Sequence, residues 1–187
     1  MTGSLIPSKN LMSKFTLVTG GARSGKSSFA ETLVMATHRP RRYIATAQAW
    51  DDEMRARIAQ HRDQRGHDWI TVEAPLNLVG ALADASAAEV VLVDCATLWL
   101  SNHLLADADL DAEAAKLLVA ITTCAAPIVV VSNEVGWSIV PDNALARAFR
   151  DAQGRLNQKM AAQAGLVVAV MAGLPLPLKG ALPGSAE

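Results

Sequence analysis

The chain has 187 residues, 51% of them hydrophobic, with 17 basic and 18 acidic side chains and a formal net charge of −1. That is apolar material for one sizeable core, and it excludes a chain disordered throughout its body. The even charge balance argues against nucleic acid as an obligate partner. No apolar run reaches the roughly 18 residues a membrane-spanning helix needs, so no membrane span is expected.

Met1 to Lys14 carries two lysines and no apolar h-region, so it reads as a flexible extension over residues 1–14 rather than a signal peptide. Phe15–Thr19 is a strand. It runs into Gly20-Gly21-Ala22-Arg23-Ser24-Gly25-Lys26-Ser27, which is G-x-x-x-x-G-K-S, and a helix follows over Lys26–Thr37. Strand, glycine-rich loop and helix in register form a phosphate-binding P-loop. Its backbone N–H groups converge on phosphate oxygens, Lys26 reaches the β/γ-phosphates and the Ser27 hydroxyl suits Mg²⁺. The loop indicates a nucleoside triphosphate but not what is done with it.

Arg42–Ala45 is a second strand, and Asp51–Arg65 is a helix with an acidic start and a basic end. Met54, Ile58 and His61 recur at i, i+4 and i+7 on one face, with Arg62 and Arg65 on the adjoining face. Spacing leaves His61 open between a surface residue on a charged helix and a nucleophile. Neighbouring guanidinium groups would keep the imidazole neutral and fit to attack phosphorus, and they could hold a triphosphate.

Trp69–Glu73 is a β-rich run, Leu76–Ser86 a helix, and Val90–Asp94 an apolar strand ending in a carboxylate. Asp94 is either a ligand for Mg²⁺ opposite Ser27 or a helix cap. Helices follow over Thr97–Leu105 and Asp111–Cys124, then a strand over Ile128–Ser132, a long helix over Asn143–Ala164 and a strand over Leu166–Val170. The run from Gly173 through Leu174, Pro175, Leu176, Pro177 and Leu178 is not expected to form a regular ladder strand. Cys95 and Cys124 lack metal-like spacing and read as reduced, semi-buried thiols of a cytoplasmic protein.

Non-alternating β-branched runs between helices predict a mostly parallel sheet flanked by helices on both faces. One domain is expected over 15–180, with a flexible tail over 181–187. The P-loop, Ala45–Ala47, Glu73, Asp94 and Asn133–Glu134 all fall at strand ends, so they should gather on one edge. Glu134 is open between a metal or substrate contact and a turn-stabilising role. Trp50, Trp99 and Trp137 are open between lining a substrate pocket and packing.

Taken together, Thr19 to Ser27, Tyr43-Ile44-Ala45-Thr46, and Asp51-Asp52-Glu53-Met54 with His61 resemble the bifunctional adenosylcobinamide kinase/adenosylcobinamide-phosphate guanylyltransferase family. Ser132-Asn133-Glu134-Val135-Gly136, Ile139-Val140-Pro141 and the run from Phe149-Arg150-Asp151 to Gly154-Arg155-Leu156-Asn157 extend the likeness over most of the chain. It is looser at Asp94, where a glutamate would reach further, and in the middle of Arg62–Arg65. The resemblance implies a RecA-like P-loop α/β domain, a trimer, and two reactions of cobalamin assembly. ATP or GTP phosphorylates adenosylcobinamide. GMP from GTP is then transferred to adenosylcobinamide phosphate through a guanylylated histidine that aligns with His61, giving adenosylcobinamide-GDP and pyrophosphate. It also implies nucleotide contacts from Gly20 to Ser27, at Ala45, Thr46 and Ala47, at Arg62, Asp63, Gln64 and Arg65, and at Glu73 and Asp94. Without it, a plain P-loop kinase of another small alcohol or a nucleotide-dependent switch would satisfy the loop and Asp94.

Overall fold

A computed structural model describes residues 12–48 and 68–184. The predicted helix over Asp51–Arg65, with His61, Arg62, Asp63, Gln64 and Arg65, and Trp50 lie outside the described residues. In chain order the described elements are β1 (Phe15–Gly20), α1 (Lys26–Met35), β2 (Arg41–Ala45), β3 (Trp69–Glu73), α2 (Leu78–Ala83), β4 (Val90–Asp94) and α3 (Ala96–Leu105). They continue with α4 (Leu110–Thr123), β5 (Ile128–Asn133), α5 (Ala144–Gln163), β6 (Leu166–Met171) and β7 (Leu174–Lys179).

The strands form one sheet in the order β3-β2-β4-β5-β1-β6-β7, parallel throughout except for the last pair. Its central strands are buried on both faces, which is why their sequences do not alternate. Phe15, Leu17, Val91, Val93, Ile128 and Val130 enter one core with α2, α3, α4 and α5. The intervening Val18, Val90, Leu92, Val129 and Val131 enter a second core against α1. The mostly parallel sheet with helices on both faces is therefore as expected. With β1 to β6 all running the same way, their carboxyl ends share one edge.

One expectation is overturned. The segment after Gly173 does form a ladder strand: β7 pairs antiparallel with β6, with Pro175 opposite Val170 and Pro177 opposite Val168. The prolines are two residues apart, so their missing N–H groups fall on the same side of the strand. β7 is the sheet edge, and that side faces no neighbour, so no ladder bond is lost. The other difference of note is at α2, where Asn77 accepts from the Gly80 N–H and starts the helix two residues after the predicted Leu76.

A largely buried ion pair ties the amino-terminal ends of β2 and β4. Arg42 Nε donates to Glu89 Oε2 at 3.0 Å and Nη2 to Oε1 at 3.1 Å, and Ser86 N–H donates to Oε2 at 2.9 Å. The Arg42 hydrogen bond, opposed by burial, holds the Glu89 carboxyl below its ordinary 4.5. Its stabilisation is therefore complete above pH 4.5 and is lost as pH falls through the lowered folded-state value. Glu89→Gln should lower stability by about 3 kcal/mol at pH 7, because it leaves a largely buried guanidinium without its counter-charge. Denaturant melts at pH 7 and pH 3 check this, and the difference from the parent should shrink at the lower pH.

Candidate nucleotide-binding site

The loop between β1 and α1 is shaped by close approaches that only glycine tolerates. A Cβ on Gly20 would lie 2.5 Å from the Val170 carbonyl oxygen and 2.6 Å from Ser24 Oγ. Gly25 has φ +91°, and a Cβ there would meet Gly173 Cα at 3.2 Å. Arg23 also has positive φ, at 56°, so the chain turns twice through the left-handed region and its N–H groups converge. The loop is pinned from outside as well: Gly173 N–H donates to Ser24 O at 2.9 Å and Glu134 N–H to Gly20 O at 3.1 Å.

Two features of the loop suit an anion. Helix α1 starts at Gly25 with no side-chain cap and no acidic residue in its first turn, so its first N–H groups and dipole have no protein counter-charge there. Beside them, Ser24 Oγ is buried with no hydrogen-bond partner among the described residues. A phosphate would satisfy both. Lys26 is buried at 9% exposure, and its ammonium folds back across the loop to donate to Gly21 O at 3.0 Å. Ser27 follows it in the first turn of α1.

Across the edge, Asp94 ends β4, two strands from β1 and so roughly 10 Å away. Tyr43 Oη donates to its Oδ2 at 3.1 Å, which orients the carboxylate with a neutral donor and leaves Oδ1. Among the described residues no three His, Cys, Asp or Glu side chains gather into a metal cage. One serine hydroxyl and one carboxylate beside a phosphate cradle are hard oxygen donors. They fit Mg²⁺, which ordinarily keeps phosphate and water ligands.

Ala45, Thr46 and Ala47 close β2 beside Asp94. Thr46 is fully buried, and its hydroxyl is engaged twice by one neighbour: it accepts the Cys95 N–H at 2.8 Å and donates to Cys95 O at 2.7 Å. Asn102 Nδ2 holds the Thr46 carbonyl at 2.8 Å. Thr46 thus locks the ends of β2 and β4 together, and Ala45 and Ala47 are the half-buried positions on either side. Burial and the neighbouring Asp94 push the Cys95 thiol up to about 11, so it is neutral and no nucleophile. Both cysteines are free and buried. Glu73 is exposed at the end of β3, four strand spacings from β1, roughly 19 Å. Trp99 is fully buried with its indole N–H on Leu76 O at 3.1 Å, so it is a core residue, whereas Trp137 is 72% exposed.

Sequence reasoning missed a polar cluster behind the loop. Glu134 Oε1 accepts from Thr19 Oγ1 at 2.9 Å and from Asn157 Nδ2 at 3.0 Å. Asn157 Oδ1 accepts from Ser132 Oγ at 2.6 Å and Gln153 Nε2 at 2.9 Å, and its Nδ2 also reaches Asn133 O at 3.1 Å. A signal was present: Gln153 and Asn157 are four apart on the face of α5 that also buries Ala152, Leu156 and Met160.

A family model described as "Cobinamide kinase / cobinamide phosphate guanyltransferase" matches residues 16–178. The chain is 47% identical over 167 residues to the "Bifunctional adenosylcobalamin biosynthesis protein CobP" of Pseudomonas aeruginosa, covering 88% of this chain and 96% of that protein. It is 44% identical to the Escherichia coli protein of the same description, CobU, and 41% identical to that of Salmonella typhimurium. Each of those two alignments covers 87% of this chain and 98% of the relative. Likeness to solved structures is distant. The flagellar accessory protein FlaH from Methanocaldococcus jannaschii overlays at TM-score 0.49 and 12% identity, over 92% of this chain and 81% of that one. The RadB recombinase overlays at 0.44 and 16%, over 83% and 73%.

Proposed function

The chain belongs to the cobinamide kinase / cobinamide phosphate guanyltransferase family, and we propose on that premise that it carries both activities on one nucleotide edge. In the first, ATP or GTP phosphorylates the aminopropanol hydroxyl of adenosylcobinamide. In the second, GMP passes from GTP to adenosylcobinamide phosphate through His61, leaving adenosylcobinamide-GDP and pyrophosphate. The observation that carries the reading is the phosphate loop, with an uncapped helix and a Ser24 hydroxyl that has no partner among the described residues, set on the same sheet edge as Asp94.

Gly20 to Ser27 binds the phosphates through main-chain N–H groups, with Lys26 aimed at the β- and γ-oxygens. Catalysis of γ-transfer is then mainly positioning and charge neutralisation. Ser27 and Asp94 would hold Mg²⁺, which would add charge neutralisation at the phosphates. Guanylyl transfer needs attack at the α-phosphorus instead. His61 as a neutral imidazole supplies it, with Arg62 to Arg65 beside it for the triphosphate. Ala45 to Ala47 flank the nucleotide. Glu73 accepts from the N1/N2 edge of guanine, since an ionised carboxylate only accepts. Its distance from the loop suits the base end of the nucleotide. Residues 15–180 work as one domain, in a cytoplasmic trimer. Among the described residues no helix is long and apolar enough to cross a membrane.

Incubation with α-labelled GTP should leave acid-labile label on the protein, and His61→Ala should reduce that label at least about 100-fold while γ-transfer to adenosylcobinamide persists. Normal labelling of the variant sinks the His61 assignment. Transfer of γ-phosphate without any α-label on the parent protein would leave a plain kinase, and no turnover with either label would leave a binding module.

A further inference from the structure

Phosphorylating an alcohol requires somewhere for its proton to go, whereas a phosphate acceptor in guanylyl transfer is already an anion. We propose that Glu134 is the base of the kinase half-reaction and has no chemical part in the guanylyl half. The inference rests on the kinase activity proposed above.

Three observations carry it. Glu134 directly follows β5, the strand beside β1, and its N–H holds the carbonyl of Gly20, the first residue of the phosphate loop, at 3.1 Å. Its carboxylate is fixed through one oxygen only. Oε1 takes both hydrogen bonds, from Thr19 and Asn157, and among the described residues no donor reaches Oε2. The two donors are neutral, so they orient the group without neutralising it. Asn157 is itself held by Ser132 and Gln153, each fully buried, so the orientation is built into the core rather than left to a loop. Glu134 is half-buried, between that cluster and the open edge.

Among the described residues, the other acids at this edge are worse placed. Asp94 lies two strands from β1 and is the carboxylate assigned to Mg²⁺, and Glu73 lies at the far end of the sheet. In the step assigned to Glu134, the acceptor O–H bond breaks and the proton moves to Oε2. The hydroxyl oxygen forms the new bond to the γ-phosphorus. The bond from that phosphorus to the β,γ-bridging oxygen breaks, and the nucleoside diphosphate leaves with the electron pair. The carboxylic acid then loses its proton to water. Placing the base on the neighbour of the P-loop strand puts it on the γ side of the nucleotide, where the acceptor must approach in line.

The test separates the two halves in the full-length protein. Glu134→Gln keeps an amide oxygen for Thr19 and Asn157 and removes the base. With γ-labelled nucleotide and adenosylcobinamide, its kcat should fall about 100-fold or more, with KM for nucleotide within about threefold. With α-labelled GTP, protein labelling and transfer to preformed adenosylcobinamide phosphate should stay within about threefold. Glu134→Asp keeps a carboxylate and should recover at least about tenfold of the lost kinase rate. Equal loss in both halves overturns the proposal in favour of a purely structural role, as does an undiminished kinase rate or an Asp variant no better than Gln. A Gln variant that fails to fold leaves the decision to the Asp variant, whose kinase half must then be the more impaired of the two. Failure of the parent protein in both assays would instead reject the proposed function.

Discussion

Alanine at position 20 should lower stability by about 3 kcal/mol and abolish measurable nucleotide binding, although it adds a single methyl group. The methyl would sit 2.5 Å from the Val170 carbonyl, and that oxygen belongs to the backbone of a strand paired on both sides. It cannot swing away as a flexible side chain can. Either β1 and β6 separate at their ends or Gly20 rotates, and rotation breaks the bond from Glu134 N–H and carries the loop with it. In a domain of this size the melting temperature should drop by about 6–12 °C. Gly21→Ala is the internal control. Its Cβ would meet nothing within 4 Å, so the melt should be nearly unchanged. Equal melts for the two variants would show that the contact at Gly20 is relieved cheaply.

Removing the Lys26 ammonium should have the larger effect on chemistry. Lys26→Ala should reduce both γ-transfer and guanylyl transfer about 10²–10³-fold, the loss typical of one preorganised charge at a reacting phosphate. The ammonium donates to the loop carbonyl of Gly21 and so lies across the cradle. The β-phosphate is the common element of the two reactions: it stays on the leaving diphosphate in the first and leaves within pyrophosphate in the second. Lys26→Arg should recover little, because the stem is buried and a planar fork does not reproduce a compact charge there. Parallel assays with γ- and α-labelled GTP measure this. Sparing of either half would mean that the amine serves one reaction and not both.

Most of the sheet was legible in the sequence because its strands are short, β-branched and buried on both faces, a pattern that local composition records. β7 was not. Whether Pro175 and Pro177 are tolerated depends on which strand ends the sheet, and that is a property of the whole topology. The loop was legible to the residue, since its spacing and its glycine requirements are local. Thr46 was legible as a strand-end position, but its lock on Cys95 joins residues 49 apart. The cluster behind Glu134 joins four segments, β1, β5, the turn after β5 and α5. No window along the chain contains them together, so Glu134 read equally well as a turn residue. His61 and its arginines rest on sequence and family likeness alone.

The contact of Gly173 with the phosphate loop sets an order of assembly. Ser24 and Gly25 are synthesised about 150 residues before the turn that braces them. An emerging chain can therefore pair β1 with β5 while its loop still lacks the donor for Ser24 O. The anion site becomes complete only when the β6–β7 turn has left the ribosome and docked. Nucleotide would then select finished molecules over nascent ones, and its binding energy would favour the fully docked hairpin over partly folded forms.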